Sequence, residues 1–205
     1  MKQVKKQKRV QPVSKKKEEG LSYSVKVRDK EGRVLQRISA PSRSYVQQWN
    51  QLLNVQAAQA NKTVKDTEGI AQSAEAQAAN FSLQSAGIGE IRWGIRVGKG
   101  TTAVAITDFA LGSPLGEGTD TDEFNHQAVT FTVPSVVGST CSFTIKRVMI
   151  NNSGATISDI KEIGCYHLYK PGNWAALGFR DVLPSAVYVP HGGSITVTYT
   201  FRVTV

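Results

Sequence analysis

The clearest pattern in the chain is a strict alternation of apolar and polar residues close to its C-terminal end. Over residues 193–205, every second position is apolar and the positions between them are mostly threonine. A period of two residues is typical of a strand with one buried face. We therefore predict a long terminal strand, whose apolar side consists of Ile195, Val197, Tyr199, Phe201, Val203 and Val205.

Shorter segments with the same period precede this strand. They lie at residues 91–97, 104–108, 128–133, 140–150, 156–169, 177–180 and 186–189, and residues that favour turns separate them. No helical pattern lies between them, which excludes parallel strands joined by helices. The fold class that follows is mainly β, with an antiparallel β-sandwich or jelly-roll-like body of about eight strands over residues 91–205.

Two of these segments change phase partway along. In residues 140–150 the apolar phase slips between Ile145 and Val148, which predicts a β-bulge at Lys146 and Arg147. A similar slip occurs near Lys161 and Glu162. The turn at 151–154 is expected to join these two segments as a hairpin, in which Cys141 and Cys165 face each other as buried thiols or as a disulfide.

The N-terminal part predicts a β-hairpin followed by a helix. Residues 22–28 and 34–38 alternate around a turn at 29–32. Residues 42–60 have helical spacing, with Ser44 and Gln47 as a possible capping box. The apolar stripe that we expect to pack comprises Tyr45, Val46, Trp49, Leu52 and Leu53. The opposite face is rich in Gln and Asn but almost uncharged, which favours a helix that lies against a neighbouring protein.

Residues 63–90 are small and polar, with weak helical potential at 71–79. This composition predicts a linker or an ordered loop. The expected organisation is then a basic extended arm at 1–20, an attachment unit of hairpin plus helix at 21–62, the linker or loop at 63–90 and the body at 91–205.

Positive charge is concentrated at the N-terminus. The 205 residues contain 25 Lys and Arg against 16 Asp and Glu, a formal charge of +9. We expect the arm to contact an acidic protein surface or nucleic acid, or else to be a solvated tail. The cations concerned are Lys2, Lys5, Lys6, Lys8, Arg9, Lys15, Lys16 and Lys17. No apolar run is long enough to span a bilayer, no secretory signal is recognisable, and two cysteines suggest a reducing compartment.

Few residues suggest chemistry. His126, His167 and His191 lack the spacing of a zinc site, so we expect no metal, no cofactor and no enzymatic activity. Acidic residues at 117–123 could bind calcium weakly, but a solvated loop explains them as well. Trp174 follows a loop-like segment, so it could be an exposed platform for a sugar or a partner protein.

Several segments resemble small β-rich structural proteins of tailed bacteriophages. They are residues 98–115 (GKGTTAVAITDFALGSPL), 151–157 (NNSGATI) with 162–164 (EIG), 180–190 (RDVLPSAVYVP), 193–200 (GSITVTYT) and 64–67 (VKDT). The resemblance covers residues 21–205 and lies in turns and strands, so it transfers no functional residue. It implies a virion component, assembled in the host cytoplasm as a homo-oligomer with other virion proteins.

The sequence thus favours a bacteriophage virion structural protein whose basic arm tethers it to its neighbours. Its position could be capsid-associated, decoration or tail. Two other functions remain open. One is a shell-forming capsid protein whose arm binds nucleic acid, and the other is a carbohydrate-binding adhesin or fibre module that uses Trp174.

Overall fold

A computed structural model describes residues 18–42, 44–80 and 86–205 of the chain. These residues confirm a mainly β fold with one helix. Among them are thirteen strands: β1 Glu18–Arg28, β2 Val34–Ser42, β3 Lys62–Lys65, β4 Ala71–Ala74, β5 Gly94–Gly98, β6 Gly116–Glu117, β7 Glu123–His126, β8 Thr130–Phe131, β9 Ser135–Val137, β10 Thr140–Ile150, β11 Ile157–Tyr169, β12 Trp174–Val189 and β13 Ser194–Thr204. The helix α1 is Gln47–Ala58.

The largest sheet, which we call the long sheet, has the order β2-β1-β13-β10-β7-β6, and β8 and β9 also pair with β10. Its three central strands are antiparallel and run side by side over eleven residues without a register shift. Thr204 of β13 lies between Glu18 and Thr140, and Ser194 at the other end lies between Arg28 and Ile150. The predicted N-terminal hairpin and the predicted last strand are therefore confirmed, and they belong to one sheet.

A second sheet has the order β12-β11-β5. The principal core contains apolar side chains of both sheets, such as Ile145 and Val197 from the long sheet and Ile163 and Phe179 from the second. Since β1 supplies Leu21, Tyr23, Val25 and Val27 to this same core, the expected attachment unit at 21–62 shares its sheet and its core with residues 91–205.

The predicted hairpin of β10 and β11 is wrong, because these strands lie in different sheets. Cys141 is opposite Val203, whereas Cys165 is opposite Phe179, and both thiols are free. The turn that joins the two strands carries the chain between the sheets. Its first residue, Asn151, is fully buried and donates hydrogen bonds to the carbonyls of Ala155 and Val189.

Other strand predictions also need correction. Residues 104–108 form no strand, and the two short strands expected at 177–180 and 186–189 are one continuous strand, β12. The slip near Glu162 is confirmed as a register shift in the pairing of β11 with β12. The slip at Arg147 is not a bulge, since the register of β10 with β13 is unbroken there. Instead, the Arg147 side chain occupies a buried inward position.

The helix is shorter than predicted, and the capping box at Ser44 is absent. Val46 is the N-cap residue, and no side chain caps the helix there. The Ser44 hydroxyl instead hydrogen-bonds to the hydroxyl of Ser42, at 2.7 Å. Gln48, which falls on the predicted polar face, is fully buried together with Leu52 and Val55. Among the described residues, no helix combines the length and apolar character that a membrane crossing requires.

The segment predicted as a linker contains the β3–β4 hairpin. Val64 and Ala74 of this hairpin pack with Leu52 of α1 and Tyr169 of β11 in a separate apolar cluster. The Asp66 carboxylate stabilises its turn by accepting hydrogen bonds from the backbone of residues 68 and 70 and from the Gln72 amide. The described part of 63–90 is thus folded onto the body, and a strand replaces the helical potential at 71–74.

Candidate functional site

One end of the long sheet extends beyond the cover that the second sheet provides. We call this end the overhang; it comprises residues 18–20 of β1, 140–143 of β10 and 201–204 of β13. Along β13, Tyr199 is fully buried under Phe179, Phe201 is partly buried and Val203 is 40% exposed. The apolar alternation of β13 therefore continues beyond the part of the strand that the second sheet covers.

An apolar groove of about 800 Å³ lies between the overhang and α1. Aromatic rings line it in a continuous series. The rings of Phe143 and Phe201 stack with centroids 4.8 Å apart, Trp49 stacks on Phe201 at 6.0 Å, and Tyr45 lies 5.0 Å from Trp49. Leu53 lies at its rim and is 44% exposed. Such aromatic-rich concave surfaces are typical of sites that bind a partner or an apolar ligand.

A row of valines adjoins the groove on the side of β9. Val133 is 84% exposed, Val136 71% and Val205 67%. All three lie beside the groove: Val136 is opposite Cys141, which lines it, Val133 precedes Pro134, which also lines it, and Val205 follows the end of β13 at the overhang. We call these three residues the valine strip. Exposure above two thirds means that their side chains protrude, so the strip is convex where the groove is concave.

The predicted helix residues divide among three environments. Val46 is buried against Tyr166 and Leu177, and Leu52 is buried against the β3–β4 hairpin. Tyr45 and Trp49 are partly buried and line the groove, whereas Leu53 is exposed at its rim. Sequence reasoning did not single out Phe143 and Phe201 as site residues, although the alternation that continues to the end of β13 was a signal for Phe201.

The structure does not describe the arm, and it places Trp174 in a partly buried position. All eight arm cations, from Lys2 to Lys17, lie outside the described residues. Trp174 is partly buried and its ring packs 5.8 Å from that of Tyr169. It borders only a shallow depression of about 320 Å³, together with Asp66 and Arg92. The geometry thus gives Trp174 a packing role beside a small polar surface.

A buried ionic network fixes the loop between β5 and β6. The Glu162 carboxylate accepts hydrogen bonds from the backbone N–H groups of Gly100, Gly112 and Ser113 and from Nε of Arg180, at 2.7–3.0 Å. Arg180 also pairs with Asp108 at 3.0 Å. Because every charge in the network is satisfied, its role is to hold this loop in place.

Arg147 is a second buried charge, and it bonds to backbone carbonyls instead of carboxylates. It donates to the carbonyls of Glu90 at 2.6 Å, Gln127 at 2.8 Å, Gly87 at 3.1 Å and Ile95 at 3.2 Å. Burial lowers the pKa of Arg147 to about 10, so it stays protonated at neutral pH. The side chain ties the segment before β5 to the inner face of the long sheet.

The three histidines lie apart from one another. Burial lowers the pKa of His167 to about 3. Burial and the positive charge of Arg147 lower the pKa of His126 to about 4, although its Nδ1 lies 2.7 Å from the Glu117 carboxylate. His191 Nδ1 accepts a hydrogen bond from the N–H of Gly154. Each ring is thus held in a separate part of the fold.

Acidic side chains of the 117–123 loop already have partners. Glu117 bonds to His126, Glu123 accepts a hydrogen bond from the N–H of Asp120, and Asp122 pairs with Lys99 at 2.6 Å. Within residues 18–42, 44–80 and 86–205, no group of three or more His, Cys, Asp or Glu is placed to hold a metal ion. The groove and the valine strip are therefore the strongest candidate for a functional site.

Comparisons of the chain with models of protein families, with curated proteins and with solved structures return no match. Any functional assignment therefore has to be argued from these surfaces and from the sequence.

Proposed function

We propose that this chain is a structural protein of a tailed-bacteriophage virion, with a β-sandwich or jelly-roll-like body that assembles with copies of itself and with other virion proteins. The resemblance of its strand and turn segments to such proteins supports this class. The observation that carries the proposal is the aromatic groove, which is open beside a protruding valine strip.

An exposed apolar surface of this kind favours assembly. Monomeric proteins rarely expose contiguous apolar patches larger than a few hundred Å². Here the stacked rings of Phe143, Phe201 and Trp49 occupy the concave part of the patch. Large aromatic side chains in such central positions contribute most of the binding free energy of typical interfaces.

The occupant that fits this groove is a second copy of the chain. Groove and valine strip adjoin each other on one surface, and one is concave where the other protrudes. A two-fold axis beside them brings the strip of each copy to the groove of the other, which is the arrangement of an isologous interface. We assign the tether to residues 1–17, which precede β1 at the overhang, since β1 begins at Glu18 and Glu18 is opposite Thr204.

Sedimentation equilibrium of the full chain tests the contact between copies. Val136→Asp combined with Val205→Asp should weaken self-association at least about tenfold, because it would place two carboxylates against the apolar rings of the groove. Ile88→Asp is the control, since Ile88 is 76% exposed outside the patch and its replacement should change nothing. A wild-type chain that remains monomeric at about 100 μM would contradict this interface.

Mass spectrometry of purified virus particles tests the proposed class directly. We expect the chain in intact particles in multiple copies, in a number that matches a symmetric position. Its presence in infected cells but not in particles would contradict a virion role, whatever the result for self-association.

A further inference from the structure

The outer face of the long sheet is polar and basic, whereas the groove is lined mainly by apolar side chains. Thr196, Thr198 and Thr200 of β13 form its centre line, and cations lie beside them. Lys26 of β1 is opposite Thr196 on one side, and Lys146 of β10 is opposite Thr198 on the other. Arg37 of β2 is opposite Lys26 on the next strand outward.

Charge on the part of this face formed by β1, β2, β10 and β13 is almost entirely of one sign. The four strands β1, β2, β10 and β13 contain six Lys and Arg residues, and their two acidic residues, Glu18 and Glu19, both stand at the start of β1. Arg147 is buried on the inner side. The five remaining cations occupy outer positions: Lys26, Arg28, Arg37, Lys146 and Arg202.

These five cations have no carboxylate partner among the residues that the structure describes. Several cations elsewhere do have one: Arg33 pairs with Asp29, Arg92 with Glu90 and Arg180 with Glu162. The outer face therefore keeps uncompensated charge that is available to an external anion.

The shape of the face suits an extended anion. A shallow depression of about 280 Å³ lies along it, floored by Thr196 and Thr198 and bordered by Lys26, Arg28 and Lys146. Because neighbouring strands are about 4.8 Å apart, the cations of β1 and β10 form two rows about 10 Å apart. Hydroxyl groups of serine and threonine lie between and beside the rows, at Ser22, Ser24, Ser142, Thr144, Thr196 and Thr198.

We propose that this outer face binds the phosphate backbone of double-stranded nucleic acid without sequence preference. Lysine, arginine and the hydroxyls of serine and threonine are the side chains that most often contact phosphates. Outer positions of these four strands carry no aromatic residue, which disfavours single strands bound by base stacking. An acidic protein is a poorer fit, because the face offers no aromatic anchor of the kind that protein interfaces use.

This proposal does not depend on the groove, which lies on the opposite side of the sheet. It also differs from nucleic-acid binding by the arm alone, since the cations concerned are held in the body. An arm that begins at the same sheet could add to the binding, and the experiment has to separate the two contributions.

Fluorescence anisotropy with a labelled random-sequence DNA duplex, measured with the full chain across a salt series, tests the proposal. The test variant combines Lys26→Gln, Arg28→Gln and Lys146→Gln. It should weaken binding at least about tenfold and reduce the slope of log K against log salt by about 2 to 3, since each lost phosphate contact removes about 0.9.

Two variants of equal charge serve as controls. The first replaces Lys62, Lys65 and Lys161 by Gln, and these lysines lie on β3 and β11 outside the face. It should change affinity less than about twofold, because the net charge alone does not determine binding. The second replaces Lys15, Lys16 and Lys17 by Gln and measures the contribution of the arm.

Four outcomes would overturn the proposal. They are no duplex binding at low salt, equal losses in the test variant and the first control, a loss confined to the arm variant, and tighter binding of single-stranded DNA or polyglutamate than of the duplex. Unchanged circular dichroism and melting temperature of the test variant would show that a loss of binding is not a loss of fold.

Discussion

The covered end of the long sheet and its overhang consist of the same strands but differ in what lies on their inner face. In β13, Ile195, Val197 and Tyr199 are fully buried beneath the second sheet, whereas Val203, in the same phase, is 40% exposed. Alternation along a strand therefore determines which side of a sheet is apolar, but the length of the covering sheet determines how much of that side is buried. The uncovered remainder is the surface that we assign to assembly.

Among the changes that test this comparison, replacing a buried charge should have the largest effect on the free energy of unfolding. Arg147→Met leaves buried backbone carbonyls without a donor, so we expect a loss of about 3 kcal/mol or more in the free energy of unfolding. Lys146→Met, one position along on the exposed outer face, should change it by less than about 0.5 kcal/mol. Urea denaturation of both variants measures the difference, and equal effects would contradict the inward position of Arg147.

Truncating an apolar side chain should cost much more stability at the covered end of the long sheet than in the overhang. Ile195→Ala opens a cavity in the core and should cost about 2–5 kcal/mol. Val203→Ala, in the same strand and phase, should cost less than about 0.5 kcal/mol in the dissociated chain, because solvent already reaches that side chain. A large loss for Val203→Ala at low protein concentration would mean that the overhang is covered within a single copy.

Acid should destabilise the fold through its buried histidines. The pKa of His167 is about 3 when folded, below the ordinary value of 6.5, so the unfolded chain binds its proton first as pH falls. The stability is full above pH 6.5 and decreases between that pH and the folded pKa, by up to about 1.4 kcal/mol per pH unit for one group. His167→Phe should reduce this slope in urea denaturation between pH 6.5 and 4, and an unchanged slope would contradict the assignment.

The smallest expected effect is a difference in reactivity between the two cysteine thiols. Cys141, in the overhang, is partly exposed, whereas Cys165 is fully buried and burial raises the pKa of its thiol. We therefore expect one cysteine to react readily with a thiol reagent in the native chain and both to react in urea. Protection of both thiols in the native chain, with a return to one reactive thiol on dilution, would locate Cys141 within the contact between copies.

Local sequence patterns predicted the positions of the strands better than they predicted which strands pair with each other. Alternation, strict in β13 and interrupted in β10, placed both strands within a residue of their observed ends, and the Asp29–Gly32 turn placed the first hairpin. Sequence neighbours were assumed to pair, and this failed where Asn151 carries the chain from one sheet to the other. In the sequence, Asn151 cannot be distinguished from an ordinary turn asparagine. Its hydrogen-bond partners, such as Val189, are distant in the chain.

Buried polar residues explain most of the remaining errors. Arg147 interrupts the apolar phase and so suggests a bulge, yet it is an inward residue that bonds to backbone carbonyls in three segments of the chain. Gln48 falls by its spacing on the polar face of the helix, which predicts contact with a neighbouring protein, but it is fully buried within this chain. The groove itself was only half predictable, since the pattern identified Trp49 and Phe201 as apolar but could not show that the second sheet ends before it covers them.

Because Glu18 and Thr204 are register partners, the chain enters and leaves the long sheet at the same place, beside the groove. A reporter protein fused directly after Val205 would therefore emerge where a neighbouring subunit is expected to dock. Such fusions are poor tools for following incorporation into particles. The exposed turn at Lys30–Gly32, at the far end of β1, is the better position for a small inserted tag, since it lies away from both the overhang and the groove.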